Sequence, residues 1–174
     1  MSIWVNIFCQ RSVESVRPND LIRGIEKRLA VMTYLLLPEE EEEPASVSKR
    51  LKIEATQRGE PFRRLQIHYR TDGDQFLVME RWTNSEAVFE EVKEFLERLE
   101  KRSESAAERI RDHLRETIES IGIELKASDA RSMGWPVAIC AAAEIAERGD
   151  GIIHAGGSGW MVPSGNEVDI ILAE

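Results

Sequence analysis

Apolar positions recur along the chain with two periods, and each change of period marks a new element. Ile3, Val5, Ile7 and Cys9 alternate with Trp4, Asn6 and Phe8, nearly all apolar, which predicts a first strand covered on both faces. Pro18-Asn19-Asp20 reads as a helix start, and Leu21, Ile22, Ile25 and Leu29 follow at helical spacing. Residues 31–37 fit either a continuation of that helix or a second strand, and Pro38 ends both readings. Residues 45–61 carry one semi-apolar island around Leu51 and Ile53 and receive no assignment. Residues 62–70 and 75–82 flank Asp72-Gly73, whose tolerance of positive φ predicts a tight antiparallel hairpin.

The next stretch carries the strongest helical signal. Thr83 and Glu86 are spaced as a capping box, and Val88, Val92, Phe95, Leu96 and Leu99 mark one face. After a polar interval, Ala106, Ile110, Leu114, Ile118 and Ile121 resume that face in phase, with no Gly or Pro before Gly122. One helix over 84–121 would span roughly 57 Å at 1.5 Å per residue, against about 40 Å for a compact domain of this size. It must therefore protrude or turn back near Ser103–Ser105; continuity is the expectation, with Gly122 as its C-cap and a short strand at Ile123–Ala127. A protruding helix would also offer a seam for homo-oligomerisation. Gly134-Trp135-Pro136 opens an alanine-rich helix to Arg148, and Ile152–His154, Trp160–Val162 and Val168–Leu172 are short strands between turn-rich segments. The order predicts one α+β domain over 1–174, an antiparallel or mixed sheet with helices on one side.

Charge narrows the function classes. The net charge is −9, and residues 122–174 hold eight acids against three bases while residues 1–38 are net positive. A basic footprint for phosphates is missing, so nucleic acid is not an expected partner, nor is an anionic membrane surface. A basic protein is the electrostatically suited partner. No apolar run reaches membrane-spanning length, the first residues lack the pattern of a signal peptide, and a cytoplasmic address is expected. Cys9 and Cys140 lie far apart in apolar stretches and read as buried free thiols.

The search for chemistry yields no catalytic, metal-binding or cofactor-binding set. His68, His113 and His154 are isolated from any nucleophile motif. Gly156-Gly157-Ser158-Gly159 runs into Trp160-Met161-Val162 rather than a helix, so it reads as a turn and not a phosphate cradle. Trp4 and Trp82 are expected in the core. Trp160, between two turns in the most acidic region, either covers core, as a hairpin tryptophan usually does, or stands exposed as a partner-binding anchor with Asp150 and Glu167 nearby. The run Glu39–Glu43 is expected to be solvated, and Glu40, Glu41 and Glu42 join the candidate partner-binding residues.

Gly134-Trp135-Pro136-Val137-Ala138, then Ala142, Ala146, Gly151-Ile152-Ile153 and Gly159-Trp160, resemble the helix-then-strand ending of small bacterial immunity proteins of polymorphic toxin systems. That resemblance implies an acidic cytoplasmic α+β protein that blocks a toxin without catalysing a reaction, and it transfers no site residue. The leading expectation is thus a non-enzymatic acidic binding protein that neutralises a basic toxin or enzyme by surface blocking. The alternatives are a small-molecule-sensing α+β module, or an enzyme using His68 or His154.

Overall fold

Eight strands form a single sheet in the order β2-β3-β4-β5-β1-β6-β7-β8. The computed structural model describes residues 2–55, 61–71 and 75–174. The strands are β1 (Ser2–Cys9), β2 (Lys52–Ala55), β3 (Arg64–His68), β4 (Phe76–Trp82), β5 (Glu119–Lys126), β6 (Gly151–Ala155), β7 (Gly159–Ser164) and β8 (Glu167–Leu172). Every neighbouring pair is antiparallel. The helices are α1 (Pro18–Leu36), α2 (Pro44–Arg50), α3 (Ser85–Leu99), α4 (Ser105–Arg115) and α5 (Gly134–Gly149). The α+β class and the antiparallel sheet agree with the sequence reading. The β3–β4 hairpin forms with Arg64 opposite Glu80 and His68 opposite Phe76, while its expected Asp72-Gly73 turn lies outside the described residues.

Helices lie on both faces, not one. Strand periodicity decides which residues meet which layer. Val5, Ile7 and Cys9 join Ile121, Ile123, Ile153 and Met161 in a core under α1 and α5. Phe8 and Ile152 point the other way, into a smaller core with Val88, Val92, Phe95, Ile110 and Leu114 of α3 and α4. Helix α5 is buried on nearly all sides between the sheet and α1, and its alanines allow that close approach. At Gly24 of α1 a Cβ would lie 2.5 Å from the Glu144 side chain. Glu144 there accepts from the fully buried Arg28 at 2.8 Å and from Arg148 at 2.6 Å, and Arg28 also pairs with Glu147. The guanidinium thus enters the core with its charge matched.

The expected continuous helix over 84–121 is two helices followed by a strand. A straight rod would bury one half and leave the other apolar face in water. Turning back lets Leu99 of α3 and Ala107 of α4 share one core. Arg111 of α4 donates to the carbonyls of Leu99 (2.7 Å) and Arg102 (3.1 Å), satisfying acceptors that the end of α3 leaves open. The eleven-residue phase was real but joined two helices that share a core. Gly122 is no C-cap: it sits in the middle of β5, between Glu80 and Asn6. The open choice at 31–37 resolves as helix through Leu36.

Candidate functional site

Among the described residues, one part of the sheet has no helix over it. On the α1/α5 side, Leu65, Ile67, Leu77, Met79, Ile121 and Ile123 are fully buried. Their alternating partners Gln66, Val78, Glu80, Trp82 and Glu124 are half-exposed, as is Asn6 of β1. The α3/α4 layer reaches this face only at its margin, where Glu91 pairs with the Ser120 hydroxyl and Trp82 packs against the smaller core. Burial pushes the Glu91 carboxyl above its ordinary value although the Ser120 hydrogen bond works against that. Beyond that margin the face formed by β3, β4, β5 and the first half of β1 is open among the described residues.

Gly122 is the centre of this face. The register places Glu80 of β4 and Asn6 of β1 opposite it, with Ser120 and Glu124 two residues away along β5. Trp82 stands opposite Ser120 and Trp4 opposite Glu124, so the tryptophans occupy two corners diagonal to Gly122. Both indoles lean inward: a Cβ built on Gly122 would lie 3.0 Å from ring carbons of each. Any side chain here would displace the rings, so glycine is what lets them lie low across the strands. Trp4 remains 38% exposed.

The acids around the indoles are held differently. Glu80 faces Arg64 across β3–β4 with Nε 3.5 Å away. Glu124 accepts from the Ser2 hydroxyl at 2.6 Å and forms no ion pair among the described residues. Further out, Glu54 engages His68 at 3.5 Å and also Lys52. Lateral to Trp82 lies a polar cleft of about 700 Å³, lined by Glu14, Arg63, Arg81, Asn84 and Glu119. Arg81 takes Glu119 with Nε at 3.0 Å and Nη2 at 2.8 Å, and Glu119 also accepts from Ser12 and the Val13 amide. Burial alone would raise the Glu119 carboxyl, but these donors outweigh it and hold the group below the usual range. This network pins the loop after β1 to the sheet and leaves Glu119 without a spare lone pair for proton transfer.

Of the two readings of Trp160 the structure takes the core one, while Trp4, expected in the core, is exposed. Trp160 is 4% exposed, not an exposed anchor: its ring lies 5.8 Å from Phe8, 5.4 Å from Phe95 and 4.8 Å from His154. β7 is an inner strand and Phe95 of α3 covers Trp160, so the flanking turns do not expose it. Trp4, expected in the core, is on the open face because both-sided cover of β1 begins only at Ile7. Asp150 closes α5 in the left-handed conformation (φ 50°) and pairs with Arg11 at 3.6 Å. Glu167 is exposed at the start of β8, the sheet edge opposite β2. Glu40, Glu41 and Glu42 lie between α1 and α2, where Glu42 binds Arg50 at 2.5 Å. The structure does not bring these expected residues together.

The histidines and thiols are built into the fold. His113 Nε2 lies 2.9 Å from the Phe8 carbonyl oxygen. His154 is packed among Phe95 and Trp160 with Nε2 3.2 Å from Glu174, and its burial lowers its pKa against the pull of that carboxylate. Burial pushes the Cys9 thiol up to about 12 and raises Cys140 as well, so neither is a ready nucleophile. Among the described residues no group of three or more His, Cys, Asp or Glu could hold a metal ion, and no helix is long and apolar enough to cross a membrane. Gly157 (φ 80°) and Gly159 (φ 92°) form the β6–β7 turn, where the Gly157 amide donates to Glu174. No protein-family model matches the chain, and no curated protein or solved structure matches it.

Proposed function

We propose that this protein is a non-enzymatic cytoplasmic binding protein that holds a basic protein against the open face of its sheet, blocking that partner as an immunity protein blocks a toxin. One observation carries the reading: Trp4 and Trp82 converge over Gly122 on a sheet face that, among the described residues, helices reach only at its margin, beside Glu80 and Glu124. Large aromatic rings supply much of the energy of protein interfaces, and here ring carbons of both converge on one backbone position of the face. The net charge of −9 would draw a basic partner toward the molecule and raise the association rate. The experiment is recovery of the protein from its native cell after cross-linking, followed by binding of the recovered basic protein to wild type and to Trp4→Ala. Loss of about 2 kcal/mol or more, a roughly thirtyfold weaker Kd, supports the reading. Unchanged affinity rejects the face as the contact surface.

A second reading draws on the polar cleft beside Trp82, which has the size of a small-molecule site. Its lining is charged, with Arg81 and Glu119 paired to each other, which suits a polar metabolite and a sensing role. Retention of a metabolite on the purified protein, displaced by Arg63→Ala, would favour that reading over the first.

A further inference from the structure

The geometry points to an arginine side chain of the partner as the group that the Trp4–Trp82 platform takes, an assignment that rests on the binding role proposed above. Ring carbons of both indoles lie over Gly122, 3.0 Å from where its Cβ would stand. Glu80 lies across the ladder from that glycine and Glu124 two residues along the strand. Neighbouring Cβ atoms on one sheet face are about 4.5–8 Å apart, so a group resting on the rings is within reach of both carboxylates.

Each class of occupant meets this arrangement differently. An apolar side chain would cover Glu124 without giving it a donor, and desolvating a carboxylate unpaired is costly. An acidic group would be repelled. A lysine ammonium could reach one carboxylate, but it is compact and strongly hydrated and cannot lie flat on both rings. A guanidinium is planar and weakly hydrated, stacks on aromatic faces, and carries donors in its own plane directed sideways. Stacked over Gly122, it would present those donors to Glu124 and Glu80. Glu124 is available for this, since its partner among the described residues is the neutral Ser2 hydroxyl.

Among the described residues the chain itself combines ring, guanidinium and carboxylate at three places. Arg81 lies 5.8 Å from the Phe62 ring while holding Glu119 at 2.8 Å. Arg70 lies 5.6 Å from the Tyr69 ring with Asp129 at 3.3 Å. Arg98 lies 5.5 Å from the Phe95 ring and pairs with Glu94. At Trp4 and Trp82 the rings and carboxylate are in place on the surface.

The test uses the whole protein and follows the indole N–H resonances of Trp4 and Trp82 by NMR. The probes are acetyl-Gly-X-Gly-amide peptides with arginine, lysine, citrulline or glutamate at X. The arginine peptide should shift both resonances saturably with a Kd of about 1–10 mM, the range expected of one cation–π contact plus one or two charge-assisted hydrogen bonds. Lysine should bind about threefold or more weaker, and citrulline, planar but uncharged, should not saturate. Glu124→Gln should weaken the arginine peptide about fivefold, and Glu80→Gln serves the same purpose where the first variant disturbs the fold. Absence of a saturable arginine shift, equal shifts from lysine or citrulline, or indifference to both substitutions would each overturn the assignment. If the peptides fail while Trp4→Ala still releases the partner, the face stands and the arginine assignment falls. If both fail, the binding role falls with it.

Discussion

Trp4 and Trp82 come from strands separated by β5, yet their rings meet above the same backbone position: a Cβ on Gly122 would stand 3.0 Å from each. Gly122→Ala therefore acts on the rings before it acts on the backbone. The added methyl should lift both indoles, so Trp4 fluorescence shifts to the red while the unfolding free energy changes by no more than about 1 kcal/mol, since alanine also stiffens the strand. A stability loss above about 3 kcal/mol, the scale of a core substitution, would mean that the tryptophans are core residues and not a platform.

Gly24→Ala should destabilise. In an ordinary helix interior the change would stabilise by about 0.5–1 kcal/mol. Here the new Cβ would meet the Glu144 side chain at 2.5 Å and disturb its bonds to Arg28 and Arg148. Moving that carboxylate leaves the fully buried Arg28 poorly matched, so a net loss of about 2–4 kcal/mol in urea unfolding is expected. A gain would show that α1 and α5 are less closely packed than described.

Trp160→Ala and Trp4→Ala should separate folding from surface. Trp160 fills the core with Phe8 and Phe95, so its removal should cost about 3–5 kcal/mol. Trp4→Ala should cost clearly less, since the ring is more than a third exposed. The reverse order would restore Trp160 as the surface anchor.

Acid should weaken the fold in two steps. The folded-state pKa of His154 lies below its ordinary value of 6.5 because of burial, with Glu174 opposing the shift. Unfolding then takes up a proton, so the stability that His154 contributes is full above 6.5 and declines as pH falls through 6.5 toward the folded pKa. Glu119 and Glu144 are lowered: burial raises both, and the donors of Arg81 and Ser12, and of Arg148 and Arg28, outweigh it. Their contribution is present above the ordinary glutamate value of 4.5 and is lost as pH drops through their folded pKa. Glu91 is raised by burial, so protonating it adds stability as pH falls from its folded pKa to 4.5, which opposes the His154 step. Urea unfolding at pH 7.5, 6, 5 and 4 measures this, with His154→Gln expected to flatten only the upper segment. An upper segment equally steep in His154→Gln and wild type would contradict the assignment to His154.

Much of the architecture was legible in local pattern. β1, the β3–β4 pair, α5 and the three closing strands follow from alternation, helical spacing and glycine or proline punctuation. The segment after Thr83 failed for a physical reason. Helical phase persists across a break when two helices bury their faces in the same core, so Phe95 and Ala106 stayed in step although the chain turns between them. The alternation Glu119, Ile121, Ile123, Leu125 was hidden because Ile118 and Ile121 also fit the helical spacing. The candidate site was not legible at all. It depends on which strands are neighbours, and β1, β4 and β5 are brought together by long-range pairing. One signal was available: Gly122 inside an alternating apolar run, where a strand glycine marks close approach by other groups.

The most direct test of the central claim is the dissociation rate of the basic protein recovered by cross-linking, measured on wild type and on Trp4→Ala. Dissociation should speed up about thirtyfold in the variant, while association slows with added salt in both, as expected of a central aromatic anchor within an acid-steered encounter. An unchanged dissociation rate, or recovery of no stoichiometric basic protein, would contradict the account.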